Sequence, residues 1–195
     1  MGKSTEVVEV MNRRRVNIMC LQETRWIGEG ARGLILGYKA WYVVQETSHM
    51  TRNGGARNGV NVILDERLLK EVIEVYQKND RLIRVKLLCG KEIVNVISTY
   101  TSQVGLDAEE KRHFWEDLDE VVQGVLHLEK LNIGGDLNGH VGASRDGYES
   151  VHGGFGYGQR DAGGEVIMDF SQSYDLILAN TWFKKRDSHL ITFRS

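Results

Sequence analysis

The sequence predicts a layered domain that mixes strands and helices, of the α/β or α+β class. Short runs rich in Val, Ile and Leu recur along the 195 residues between breaks made of Gly, Asn, Asp and Ser, as strands do. Other segments place apolar residues at helical spacing instead. Several strand-like runs also follow one another directly, which favours antiparallel pairing of neighbours.

From Ser4 the chain reads Thr-Glu-Val-Val-Glu-Val-Met-Asn-Arg-Arg, which sets Val7, Val8, Val10 and Met11 largely on one helical face. Ser4 is the expected N-cap, and the arginines fall in the last turn. Residues 16–21 form a mostly apolar strand that runs out at Gln22-Glu23-Thr24, and further strands are expected over 38–45, 60–64, 82–88 and 93–99. Residues 47–58, rich in Thr, Ser, Asn, Gly and Arg, read as a loop. Phe114, Trp115, Leu118, Val121, Val122, Val125 and Leu126 predict the longest helix over 107–129, with Asp107 as its cap. A strand over 131–133 breaks at two glycines and leads into a glycine-rich stretch, 142–164. A helix over 165–173 and strands over 176–180 and 190–193 complete the chain. No repeat, linker or boundary interrupts it, so a single domain over 1–195 is expected.

Hydrophobic residues at 41% and charged residues at 27% are ordinary globular values. A chain of this size buries roughly 70% of the surface its unfolded form exposes. Proline is absent, so every turn is made by Gly, Asn, Asp or Ser and no proline isomerisation slows folding. The 25 basic and 27 acidic side chains exclude a nucleic-acid binder working by bulk charge. Local basic clusters remain at Arg13-Arg14-Arg15, at Arg52 and Arg57, and at Lys184-Lys185-Arg186. Cys20 and Cys89 lie within apolar runs and make no disulfide framework, which points to a reducing compartment. No run approaches the roughly 20 apolar residues of a membrane span.

Residues 131–139 read Leu-Asn-Ile-Gly-Gly-Asp-Leu-Asn-Gly, and side chains two apart in extended backbone emerge on one side. Asp136 and Asn138 therefore present a carboxylate and an amide together. Glu23, Tyr100 and Asn180 likewise stand at the ends of expected strands, where functional groups converge. Glu23 and Asp136 suit a hard divalent cation, which takes one or two carboxylates plus waters. The six histidines lie apart without zinc spacing, and His140 and His152 read as solvated loop residues. Trp26, Trp41, Trp115 and Trp182 read as packing residues.

The phrases Leu21-Gln22-Glu23-Thr24-Arg25-Trp26, Tyr100 followed by Gln103, Gly135-Asp136-Leu137-Asn138, and Ile167 through Asn180-Thr181-Trp182-Phe183 resemble successive motifs of one family. It is the endonuclease/exonuclease/phosphatase superfamily of deoxyribonuclease I and the apurinic endonucleases. Gly59-Val60, the run from Asp136 to Gly142 and the run from Lys184 to Thr192 resemble its branch in RTE-type non-LTR retrotransposons, where the endonuclease accompanies a reverse transcriptase. The resemblance implies a four-layer sandwich of two packed, mainly antiparallel sheets flanked by helices. It also implies a Mg²⁺-dependent phosphodiesterase, with Mn²⁺ as the alternative cation, that nicks DNA in the nucleus. Glu23 would be the metal ligand, Tyr100 would contact the scissile phosphate, and Asp136 would orient or deprotonate the attacking water beside Asn138. Arg25, Arg52, Arg57 and Thr192 would lie at DNA. No membrane and no small-molecule cofactor is implied.

The family's first-strand asparagine and its C-terminal aspartate and Ser-Asp-His motif have no counterpart among these residues, so a truncated nuclease of weak or lost activity is expected. A non-catalytic remnant that binds nucleic acid or protein is the alternative; a phosphatase of inositol phosphates is a third reading. Smaller departures are Asn61 for a glycine, Thr101-Ser102 for Ala-Pro, and Asp161 for an asparagine.

Overall fold

Valine- and isoleucine-rich runs in the first two thirds of the chain pair into two four-stranded sheets. A computed structural model describes residues 3–24, 30–43, 59–101 and 108–186. They fall into two units, Met1–Asp136 and Leu137–Ser195. The first contains helix α1 (Lys3–Arg14), strands β1 (Ile18–Leu21), β2 (Gly30–Gly33), β3 (Lys39–Val43) and β4 (Val60–Leu64), and the single turn α2 (Glu66–Leu69). Strands β5 (Val72–Asn79), β6 (Leu82–Cys89) and β7 (Glu92–Tyr100), helix α3 (Ala108–Gln123) and strand β8 (Lys130–Asp136) follow.

The first sheet has the order β1-β4-β3-β2 with every neighbour antiparallel. The second runs β5-β6-β7-β8, antiparallel except for the parallel pair β7 and β8. Alternation along β4 separates two cores. Val60, Val62 and Leu64 meet Ile83, Val85, Leu87, Val96 and Tyr100 of the second sheet, while Ile63 meets Val8 and Met11 of α1. Helix α3 buries Phe114, Leu118, Val121 and Val122 and supplies the crossover that a parallel pair requires. Its acidic side is tied to β5, where Lys78 Nζ lies 2.6 Å from Glu120 Oε2 and Asn79 Nδ2 donates to Asp117 Oδ2 at 2.7 Å. The architecture is that of two packed, mainly antiparallel sheets flanked by helices.

The second unit is built on helix α4 (Ala162–Ser173). Asp161 caps it by accepting from Gly164 N–H at 2.7 Å. Tyr148, Val151 and Met168 form its core, with Val141 and Leu178 packed alongside. Among the described residues no helix is long and apolar enough to cross a membrane.

Four sequence expectations are corrected. The long helix stops at Gln123, where Gly124 follows, and Leu126 is solvent-exposed instead of lying on a buried face. No strand forms over 176–180: Leu178 makes one backbone bond to Val151, Ala179–Thr181 winds into a 3-10 turn, and Asn180 lies within it. Strand β8 runs through Gly134 and Gly135 rather than breaking there. His152, expected in solvent, is fully buried. Strands β2 and β5 and the turn α2 were not expected. The expected strand over 190–193, the loop over 47–58 and the cap Asp107 lie outside the described residues.

Candidate catalytic site

Strand β1 delivers Glu23 two residues past its end, on backbone at φ 55. Left-handed backbone is uncommon for a residue with a Cβ and recurs at functional sites. The turn is held by Thr24 N–H, which donates to Gly59 O at 3.3 Å. Glu23 itself is solvent-exposed.

Tyr100, the last residue of β7, is only 6% exposed, and its hydroxyl donates to Glu23 Oε1 at 2.7 Å. Asp136 ends β8 as the parallel register partner of Tyr100, and its carbonyl accepts from Thr101 N–H at 2.9 Å. Glycine makes this close pairing geometrically available. A Cβ on Gly135 would lie 1.9 Å from the Thr99 carbonyl oxygen. Gly135 is therefore a packing requirement of β8 on β7, while a Cβ on Gly134 would meet Cys20 of β1 at 2.9 Å from its Sγ.

Burial, then the hydrogen bond to Glu23 and the charges of Glu23 and Asp136, push the Tyr100 phenol up to about 12, with Arg81 opposing. At neutral pH it is a proton donor. Two exposed carboxylates thus act on one buried phenol, from three strand ends.

Asn138 lies in the second unit at φ 47, a conformation that asparagine tolerates. The backbone that follows is clamped to the start of α4. Asp161 Oδ1 accepts from His140 N–H at 3.0 Å as well as from Gly164. A Cβ on Gly164 would lie 2.0 Å from the His140 carbonyl oxygen. The N–H groups of Gly164 and then His140 hold the Asp161 carboxyl below its ordinary range, against the opposing effect of burial. Sequence reading noted Asp161 only as a substitution; the signal for its role was an Asp directly before an Ala-Gly-Gly-Glu helix start.

The site residues divide accordingly. Glu23, Tyr100 and Asp136 come together in the first unit, and in the second Asp161 holds His140, two residues beyond Asn138. Arg25, Arg52, Arg57 and Thr192 lie outside the described residues.

Among the described residues no group of three or more His, Cys, Asp or Glu side chains is placed to hold a metal ion. That donor set does not fit zinc, which requires at least three protein ligands. It fits a magnesium ion, which keeps most of its waters and needs one or two carboxylates. Thr24, next to Glu23, adds to the fit, because its buried Oγ1 has no partner among the described residues and can accept from a water of a hydrated ion.

Solved structures share this architecture. The endonuclease domain of TRAS1, a telomere-specific non-LTR retrotransposon, aligns over 89% of this chain and 66% of that one, with a TM-score of 0.56 and 17% identity. The AP endonuclease LMAP from Leishmania major aligns over 88% of this chain and 61% of that one, with a TM-score of 0.53 and 13% identity. The chain has the endonuclease/exonuclease/phosphatase fold, that of deoxyribonuclease I. In sequence it is similar to craniofacial development protein 2 of Tragulus javanicus, with 28% identity over 194 residues, covering 100% of this chain. It spans about a third of the length of the curated relatives it matches, 32% and 31%. No family model matches.

Proposed function

We propose that this chain carries the site of a Mg²⁺-dependent phosphodiesterase that nicks DNA, of retrotransposon origin and acting in the nucleus. The observation that carries the reading is the Tyr100 hydroxyl held 2.7 Å from Glu23 Oε1 with Asp136 at the neighbouring strand end. The fold shared with the TRAS1 endonuclease domain and an AP endonuclease supports it.

Glu23 would hold the cation, which needs only one or two carboxylates beside its waters. When bound, magnesium supplies charge neutralisation at a phosphate, where negative charge grows in the transition state. Tyr100, kept protonated by its surroundings, orients Glu23 through its single O–H, which would turn to donate to a non-bridging phosphate oxygen once substrate is bound. Asp136 is exposed and accepts the proton of an attacking water, the role of a general base. Asn138 keeps, on the resemblance alone, the role of orienting the phosphate or the water through its amide.

Conversion of supercoiled plasmid to the nicked form in Mg²⁺ tests the reading. The wild-type chain nicks weakly, as expected without counterparts of the family's first-strand asparagine and Ser-Asp-His motif, and both EDTA and Asp136→Ala abolish that nicking. Millimolar Mg²⁺ also raises the thermal midpoint of the wild-type chain and leaves that of Glu23→Ala unchanged. Nicking that persists in Asp136→Ala or in EDTA would sink the proposal.

A further inference from the structure

The second unit carries a surface that none of these steps uses. Its segments at 151–155 and 181–183 run side by side: Phe155 N–H donates to Thr181 O at 2.9 Å, and Gly153 N–H donates to Thr181 Oγ1 at 2.9 Å. The indole of Trp182 is fixed by its Nε1–H, which donates to Val151 O at 3.2 Å. Sequence reading placed Trp182 in the packing class, yet it is 42% exposed, beside Phe155 at 42% and Phe183 at 67%. Glycines flank Phe155 on both sides, so no neighbouring side chain covers its ring.

The charge here is one-sided, although the whole chain has a formal net charge of −2. Residues 150–160 and 176–186 contain no Asp or Glu. Lys184, Lys185 and Arg186 follow Phe183 directly, and among the described residues none of them is in an ion pair. Arg145 borders the same surface, since its Cδ lies 3.8 Å from where a Cβ on Gly154 would stand.

We propose that Phe155, Trp182 and Phe183 form a stacking surface for the unpaired bases of a single-stranded nucleic acid, with Arg145 and the cations at 184–186 meeting its backbone. Planar rings beside unpaired cations match a polyanion whose bases offer flat faces, and every base has such a face, so the contact is sequence-tolerant. A duplex hides those faces within its own stack. An apolar protein partner would make no use of three adjacent cations. The surface shares no residue with the hydrolytic groups assigned above, so it stands or falls separately from them.

The test is fluorescence anisotropy of the full chain with a fluorescein-labelled oligothymidylate of roughly ten nucleotides, within the site size of common single-strand binders. The buffer contains EDTA, and a duplex of the same length serves as control. Saturable binding tighter than to the duplex is expected. Phe183→Ser and Phe155→Ser each weaken it by about fivefold or more, the range of one lost base stack. Lys184→Gln combined with Arg186→Gln flattens the dependence of log Kd on log salt by roughly 1.4, the value for two single-strand phosphate contacts. Trp182 is read by quenching of tryptophan fluorescence, which the oligonucleotide produces in the wild type and not in Trp182→Phe. Circular dichroism melts of the variants that match the wild type keep folding apart from binding. Equal binding of duplex and single strand, aromatic variants that bind like the wild type, or a dimer that Phe183→Ser dissociates would each overturn the proposal. Loss of nicking in Asp136→Ala with oligothymidylate binding intact supports both proposals; a wild-type chain that nicks plasmid but does not bind oligothymidylate would overturn only this surface.

Discussion

The Asp161 carboxylate joins two backbone positions 24 residues apart in sequence but adjacent in space: through Oδ1 it accepts from His140 N–H at 3.0 Å and from Gly164 N–H at 2.7 Å. One side chain therefore starts α4 and anchors the turn that presents Asn138. Asp161→Ala removes both bonds. A loss of about 1 kcal/mol is expected for the cap alone, measured by urea unfolding. Asp161→Asn, which keeps an acceptor oxygen, should recover most of it. If the proposed reaction holds, nicking falls in Asp161→Ala even where the protein remains folded.

Tyr100→Phe deletes the donor to Glu23 while preserving the ring that packs in the inter-sheet core. Its melt should stay close to wild type, and its nicking rate should fall on the order of a hundredfold, the usual consequence of removing one donor to transition-state charge. A rate within a factor of about two of wild type would remove Tyr100 from the mechanism.

His152 carries a pH prediction. Nδ1 accepts from Gly154 N–H at 3.0 Å, which assigns the proton to Nε2, donating to Gly142 O at 3.1 Å. Burial first, then the charges of Arg160 and Arg145, hold its pKa below 6.5, while the Gly142 carbonyl opposes them. The unfolded chain thus binds the proton more readily, so stability rises with pH across this range. The contribution is fully present above 6.5 and is lost as pH falls through the lower folded value. Urea unfolding at a series of pH values from about 5 to 8 should show this slope in the wild type and a shallower one in His152→Phe.

Lys86 Nζ lies 2.6 Å from Glu129 Oε1, and Asn95 Nδ2 donates to Glu129 Oε2 at 2.8 Å. The pairing with Lys86 is the main reason that the Glu129 carboxyl titrates below its ordinary range, so this support is present at neutral pH and fades as acid protonates it. Glu129→Ala leaves the Lys86 ammonium without its partner, and Lys86→Met leaves the Glu129 carboxylate without its cation, so each should lower the thermal midpoint more than the double variant Lys86→Met with Glu129→Gln does. Shifts of the single variants that simply add in the double variant would show that the pair is not coupled.

The sequence revealed elements that rest on strong local patterns. The strand over 60–64 agrees residue for residue with β4, because five consecutive residues are buried there, and α1 follows its apolar stripe. What escaped was structure set by partners. Gly30–Gly33 has no strand propensity and is extended only because β3 pairs with it. Val72–Asn79 is a sheet-edge strand with an exposed Ile73, so its alternation was weak. Glu23, Tyr100 and Asp136 were legible as strand-end polar groups; the bond from Tyr100 to Glu23 was not, because nothing local links residues 77 apart. Asp161 and His152 act through backbone contacts that residue spacing does not encode.

The parallel seam of β7 and β8 also sets the order in which these groups can meet. The hairpins β5–β6 and β6–β7 close short loops, whereas β8 can add only after the intervening helix has crossed, and Glu23 must arrive from the other sheet. The phenol and Glu23 are joined across 77 residues and between two sheets. A chain arrested with its hairpins formed has Tyr100 in place and neither acid beside it, so the assembled trio is a marker of completed folding.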